Sequence, residues 1–163
     1  MKAMILAAGY GKRMMPLTEN MPKPLLKIGN ESLIERNINA LLAAGFNDII
    51  VNVSYLGSMI KKHVLETFPN VNISFSEEEI PLGTGGGVLN AIGLLGTDPF
   101  LLINADIYHQ INLKDIKQDV DIAHLVGVEN PDHNVDGDFS LNADQVSISN
   151  NLNECTWSGI SII

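Results

Sequence analysis

Gly9, Gly11, Lys12 and Arg13 follow an apolar run over residues 2–8, and two more lysines stand at positions 23 and 27. Glycines let backbone N–H groups come close to a phosphate, and the cations neutralise it. That is chemistry for a nucleoside triphosphate. Spacing excludes two other glycine patterns. A Walker loop ends Gly-Lys-Ser/Thr, whereas Gly11-Lys12 runs into Arg13. A dinucleotide fingerprint needs a third glycine and an immediate helix. Here Pro16, Pro22 and Pro24 keep the segment irregular, and no acidic residue ends the second strand at Val53. The plain alternative is a strand-to-helix turn followed by a solvated basic loop.

Asp106 is the other residue placed for chemistry, just beyond the apolar run at 100–103. Mg²⁺ favours one or two carboxylates, with phosphate and water oxygens completing its shell. Asp at a strand end is also a common turn former. Lys23, between Pro22 and Pro24, is either a phosphate-binding point charge on a stiff frame or an exposed surface lysine. The Gly83–Gly87 run could bring backbone amides to a nucleobase, or simply be a flexible entry to a helix. Glu77, Glu78 and Glu79 read as a solvated loop. His63 and His124 read as structural, while His109 and His133 fall in loops near the expected site mouth. A lone Cys155 and unpaired histidines offer no zinc set.

The elements that must position these residues alternate. Residues 2–8 read as a buried parallel strand, 32–44 as a helix closed by Gly45, 48–53 as a second strand and 56–68 as a helix. A strand over 71–75, a helix over 84–95 and a strand over 99–104 follow, then a short helix near 113–116 and a strand over 122–128. Beyond Asp138 a small hairpin is expected, with Phe139-Ser140-Leu141 and Val146-Ser147-Ile148 as its arms and Asn142-Ala143-Asp144 as its turn. Residues 157–163 read as a last strand whose apolar end leaves an awkward edge. This order predicts an α/β fold, a three-layer αβα Rossmann-like domain with a mostly parallel sheet, spanning residues 1–163 as one domain. Ligands of such sheets bind beyond the carboxyl ends of the strands, where both Gly9 and Asp106 fall.

Composition narrows the partners. Charged residues make up 18% and hydrophobic ones 45%, a balance for a folded chain. No apolar run reaches the ~20 residues that span a membrane. A net charge of −9 argues against nucleic acid or an anionic membrane surface. Four of the ten basic residues nevertheless lie between Lys12 and Lys27, and none follows Lys117. An acidic protein that binds a polyanion needs such a local reversal of sign. One cysteine and no signal-peptide core fit a reducing cytoplasm.

The run Leu6-Ala7-Ala8-Gly9-x-Gly11-x-Arg13-Met14, then Pro16-Leu17-Thr18, then Pro22-Lys23-Pro24-Leu25, resembles the signature of the sugar-1-phosphate nucleotidyltransferases. Five later segments resemble the branch that uridylylates N-acetylmuramate-1-phosphate. They are Gly83-Thr84-Gly85-Gly86-Gly87, Asn104-Ala105-Asp106, Asn130-Pro131-Asp132-His133, Gly137-Asp138-Phe139 and Trp157-Ser158-Gly159-Ile160. The resemblance implies transfer of a nucleotidyl group from an NTP, best matched by UTP, to a sugar-1-phosphate, with pyrophosphate leaving. It implies Arg13 and Lys23 as catalytic residues and Mg²⁺ as cofactor with Asp106 as a ligand. Nucleotide contacts are implied at Ala8, Gly9, Gly11, Lys12, Gly85, Gly86 and Asn104, and sugar contacts at Gly137, Asp138 and Gly159. The family's second carboxylate comes from a Trp-x-Asp-Ile/Val-Gly-Thr segment with no counterpart in these residues, so the chain reads as missing its C-terminal part. Mannose-1-phosphate guanylyltransferase and a non-catalytic nucleotide-sugar-binding regulator are the competing expectations.

Overall fold

The computed structural model describes residues 1–116, 119–143, 145–148 and 152–163. Among these the elements run β1 (Ala3–Leu6), β2 (Lys27–Ile28), β3 (Glu31–Ser32), α1 (Leu33–Ala43), β4 (Asp48–Val53), α2 (Gly57–Thr67), β5 (Asn72–Glu77), α3 (Gly83–Asn90), α4 (Ile92–Leu95), β6 (Leu101–Asn104), β7 (His124–Glu129), β8 (Ser140–Asn142), β9 (Gln145–Ser147) and β10 (Cys155–Ile162). The main sheet is ordered β5-β4-β1-β6-β10-β7. Its first four strands are parallel, and β10 runs antiparallel to both of its neighbours.

Side-chain alternation along the strands builds the layers. Ala3 and Ile5 of β1 face the same core as Ile34, Ile38 and Leu41 of α1 and Ile60 and Val64 of α2. Met4 points the other way, into a core with Ile50, Leu102, Ala91 and Leu95. The central strands are therefore apolar on both faces, because helices cover both. Burying each such large aliphatic side chain contributes roughly 1.5–3 kcal/mol. The fold is the expected α/β architecture with a mostly parallel sheet.

Local chemistry sets the helix ends. Ser32 Oγ accepts from the Glu35 N–H at 3.3 Å, and Glu35 Oε2 accepts from the Ser32 N–H at 2.5 Å, a reciprocal cap that starts α1. Burial pushes the Glu35 carboxyl up, but these bonds from Ser32, with His63 and Lys27 nearby, leave it below its usual value. His63 has its Nε2 3.3 Å from Ser32 Oγ and 3.5 Å from Glu35, consistent with a structural role.

Four expectations change. The single helix over 84–95 is two, α3 and α4, meeting at Ala91. Each interior glycine costs a helix about 1 kcal/mol, and this stretch holds Gly85, Gly86, Gly87 and Gly93. The segment near 113–116 is one 3-10 turn, Leu113–Asp115, capped by Asn112. The hairpin forms with Leu141 opposite Val146, but Ile148 lies beyond β9. Asp144, expected in its turn, lies outside the described residues. The last strand is not an edge. Ile160 and Ile162 are fully buried because β10 inserts between β6 and β7. Sequence alternation shows that a strand is buried, not which neighbours bury it.

Candidate functional site

A cleft of about 460 Å³ opens at the carboxyl ends of β1, β4 and β6. Its lining includes Ala8, Gly9, Gly11, Lys12 and Arg13 together with Lys23, Asn104 and Asp106. Gly11 has a φ of +64°, and a Cβ there would stand 3.2 Å from the Cβ of Lys23. Only glycine fits both that backbone and that approach. The chain then makes a 3-10 turn, Lys12–Met14, and a cis Met15–Pro16 bond. Buried Thr18 closes the loop by donating its hydroxyl to the Gly11 carbonyl at 2.9 Å. Tyr55, just past β4, donates to the Glu19 carbonyl at 2.7 Å and packs its ring 5.5 Å from Tyr10. Lys12 Nζ lies 5.1 Å from the centre of that Tyr10 ring.

Within the lining Lys23 Nζ lies 2.5 Å from Asp106 Oδ2, with both side chains about a quarter to a third exposed. The frame behind this pair is α1. The Leu33 N–H at its start donates to the Leu26 carbonyl at 3.0 Å, fixing the strand that leaves the Lys23–Leu25 turn. Asp106 fits a Mg²⁺ ion that arrives with phosphate oxygens, since a partly open carboxylate lines the same cleft as the cationic loop. Among the described residues no group of three or more His, Cys, Asp or Glu could hold a metal ion alone.

Beneath the loop runs a polar chain that sequence reading did not find. The Ala7 N–H donates to Asn52 Oδ1 at 2.7 Å, and Asn52 Nδ2 donates to Glu78 Oε1 at 2.6 Å. Glu78 Oε2 accepts from the Leu82 N–H at 2.8 Å. The expected solvated glutamate loop is therefore corrected at Glu78, which is buried and ties three strand ends to the entrance of α3. The usable signal was the Asn at the end of a β-branched strand, a polar residue that needs a partner once buried.

Several expected site residues stand elsewhere. Gly83 and Thr84 line the cleft, whereas Gly85 and Gly86 follow inside α3 and do not. Gly137 and Asp138 do not line it either. Asp138 Oδ2 accepts from the Trp157 N–H at 2.8 Å and its Oδ1 from Asn134 at 3.1 Å, so its carboxylate braces β10. A Cβ on Gly137 would lie 2.7 Å from the Asn153 carbonyl. Gly159, with φ +89°, sits in a register shift of β10, where a Cβ would lie 2.7 Å from Asn104 Nδ2. Its contact with the cleft is through Asn104. Lys27 lies exposed on β2, outside the lining.

His133 is also outside the lining. His109 lines a separate cleft of about 80 Å³ with Arg36, Asn37 and Tyr108. Its Nδ1 is buried with no hydrogen-bond partner among the described residues. Burial pushes this imidazole below its ordinary value, and the Arg36 charge adds to that, against an opposing pull from the Ile111 carbonyl.

A family model described as nucleotidyl transferase matches residues 2–125. The N-acetylmuramate alpha-1-phosphate uridylyltransferase of Neisseria meningitidis serogroup B is 43% identical over 99% of this chain and 74% of its own. The mannose-1-phosphate guanyltransferase of Schizosaccharomyces pombe is 41% identical over 71% of this chain. The match spans only 33% of that relative's length. Among solved structures, HddC from Yersinia pseudotuberculosis complexed with GMP-PN superposes with a TM-score of 0.82 at 29% identity. The match covers 99% of this chain and 76% of that one. UDP-glucose pyrophosphorylase complexed with UDP-glucose reaches a TM-score of 0.75 at 20% identity, a likeness of fold.

Proposed function

Because the chain belongs to the nucleotidyl transferase family, we propose that its cleft transfers uridylyl from UTP to N-acetylmuramate-1-phosphate, releasing pyrophosphate. The carrying observation is the Lys23–Asp106 pair lining the same cleft as the Gly9–Arg13 loop. The 43% identity to the Neisseria uridylyltransferase supports the choice of substrates. The attacking sugar phosphate has a second pKa of about 6, so it is mostly ionised at neutral pH and needs no general base. What remains is positioning and charge neutralisation.

Arg13 offers a planar fork to two terminal phosphate oxygens of the triphosphate. Lys23 supplies a point charge nearer the reacting phosphate once it leaves Asp106. Asp106, released in the same exchange, would hold Mg²⁺, which when bound neutralises phosphate charge. Backbone groups at Ala8 and Gly9 lie where a nucleobase could rest. Peptidoglycan recycling in a bacterial cytoplasm is the setting that this substrate pair implies.

A second reading, GTP with mannose-1-phosphate, draws support from the Schizosaccharomyces relative and from the guanine nucleotide named in the HddC complex. The experiment is pyrophosphate release from UTP and GTP, each paired with N-acetylmuramate-1-phosphate and mannose-1-phosphate, in the full-length protein with Mg²⁺. We expect turnover for the uridylyl pair. Turnover for GTP with mannose-1-phosphate alone would overturn the choice of substrates. Nucleotide binding without pyrophosphate release from any pair would favour a regulatory, non-catalytic protein.

A further inference from the structure

We infer that Asn37 of α1 is a positioning residue for Asp106, acting through the two backbone carbonyls that flank it. Asn37 is 1% exposed. Its Nδ2 donates to the Ala105 carbonyl at 3.2 Å, the Ile107 carbonyl at 3.3 Å and the Leu33 carbonyl at 3.1 Å. Three carbonyls around one terminal atom require that atom to be the amide nitrogen, so the side chain's orientation follows from its surroundings. Two N–H groups are shared among three acceptors, and two of those acceptors lie on either side of Asp106.

The reason for such a clamp is the shape of the chain there. β6 ends at Asn104, and its last backbone tie is the Ala105 N–H to the Leu6 carbonyl at 3.0 Å. Past that bond the ladder no longer dictates where the chain turns. Residue 106 must nevertheless present its carboxylate to the cleft while Ala105 beside it stays buried and Ile107 half-buried. Ala105 is fully buried, and its carbonyl without a donor would destabilise the turn. Asn37 satisfies it and the Ile107 carbonyl together, which pins the Asp106 peptide at both ends. The same helix, through its Leu33 N–H, holds the segment leaving the Lys23 turn. One rigid element therefore sets both sides of the Lys23–Asp106 pair. Groups that orient a metal-binding carboxylate commonly govern metal affinity by about 10-fold or more.

The inference rests on the reading of Asp106 as the metal carboxylate, and its test separates the two. Mn²⁺ binding in the presence of UTP, and of GTP in parallel, is measured by water-proton relaxation on four full-length proteins. They are the wild type, Asn37→Leu, Asp106→Asn and Ile38→Ala, the last removing buried volume from the same helix without touching the loop. Asn37→Ser, which keeps a shorter hydroxyl donor, stands in if the leucine variant does not fold. The clamp predicts that the Asn37 variant weakens Mn²⁺–nucleotide binding about 10-fold. It also predicts a raised Mg²⁺ requirement for turnover, while Ile38→Ala lowers the melting temperature and leaves metal affinity within about twofold of wild type. If Asn37→Leu only tracks Ile38→Ala, while Asp106→Asn loses metal affinity, the clamp is wrong and the reading of Asp106 stands. If Asp106→Asn binds Mn²⁺ as well as wild type, the reading of Asp106 falls and the clamp with it.

Discussion

The first two-thirds of this chain and its last third use glycine and polar residues for different ends. Every side of the main cleft comes from residues 6–106. There, glycine opens backbone toward the cleft at Gly9 and Gly11, and basic side chains gather on one loop. In residues 120–163 Gly137 and Gly159 make room for neighbouring protein atoms, and Asp138, Asn134 and Thr156 hydrogen-bond one another's segments. No Lys or Arg occurs there at all. The parallel half gathers the cations, and the antiparallel addition packs beside it on β6. The two halves meet along the β6–β10 ladder, at whose cleft end Gly159 packs on Asn104.

That division can be broken most directly at its charged end. Arg13→Ala and Lys23→Ala should each lower turnover about 10²–10³-fold, the usual loss for one aimed donor at a reacting oxyanion. Asp138→Ala should instead lose its two hydrogen bonds, about 1 kcal/mol each, as a lower melting temperature, with turnover nearly unchanged. Steady-state rates beside thermal melts separate these outcomes. A large loss of turnover in Asp138→Ala would return that residue to a substrate pocket and dissolve the contrast.

The junction gives the next largest effect. Gly159→Ala forces a Cβ against Asn104 and strains a residue at φ +89°, so about 1–3 kcal/mol of stability should go. Because Asn104 lines the cleft, the KM for nucleotide or sugar phosphate should rise as well. A stability loss with both KM values untouched would mean that the antiparallel addition does not reach the site.

The smallest effect is the pH dependence of the segment behind Asp106. Folded His109 binds a proton less readily than the unfolded chain, so the unfolded state takes up more protons as pH falls. Its contribution is complete above the ordinary value of 6.5 and declines as pH drops below it. Melting temperatures from about pH 7.5 to 5.5 should fall less steeply in His109→Gln than in wild type. Equal slopes would place the titration elsewhere.

How much of this was legible in sequence follows the same division. That the glycine loop, Arg13, Lys23 and Asp106 share one cleft was legible because their placement depends on local backbone and on strand ends, which periodicity marks. The αβα layering was legible for the same reason, since doubly buried strands read as unbroken apolar runs. Asn37, Asn52 and Glu78 were not, because each works through a partner at least 26 positions away that only packing reveals. Gly137 and Asp138 carry a motif that suits either a ligand or a neighbouring strand, and here each meets protein atoms. The insertion of β10 between β6 and β7 had no sequence signal, because antiparallel and parallel pairing can bury the same isoleucines.

The loop and the Lys23–Asp106 pair together would form the triphosphate site. Calorimetric titration of UTP with Mg²⁺ into the full-length wild type, Arg13→Ala and Lys23→Ala asks this before any chemistry occurs. Charge-assisted bonds of about 1.5–3 kcal/mol predict affinities roughly 10- to 150-fold weaker in each variant. Wild-type affinity in both would contradict it.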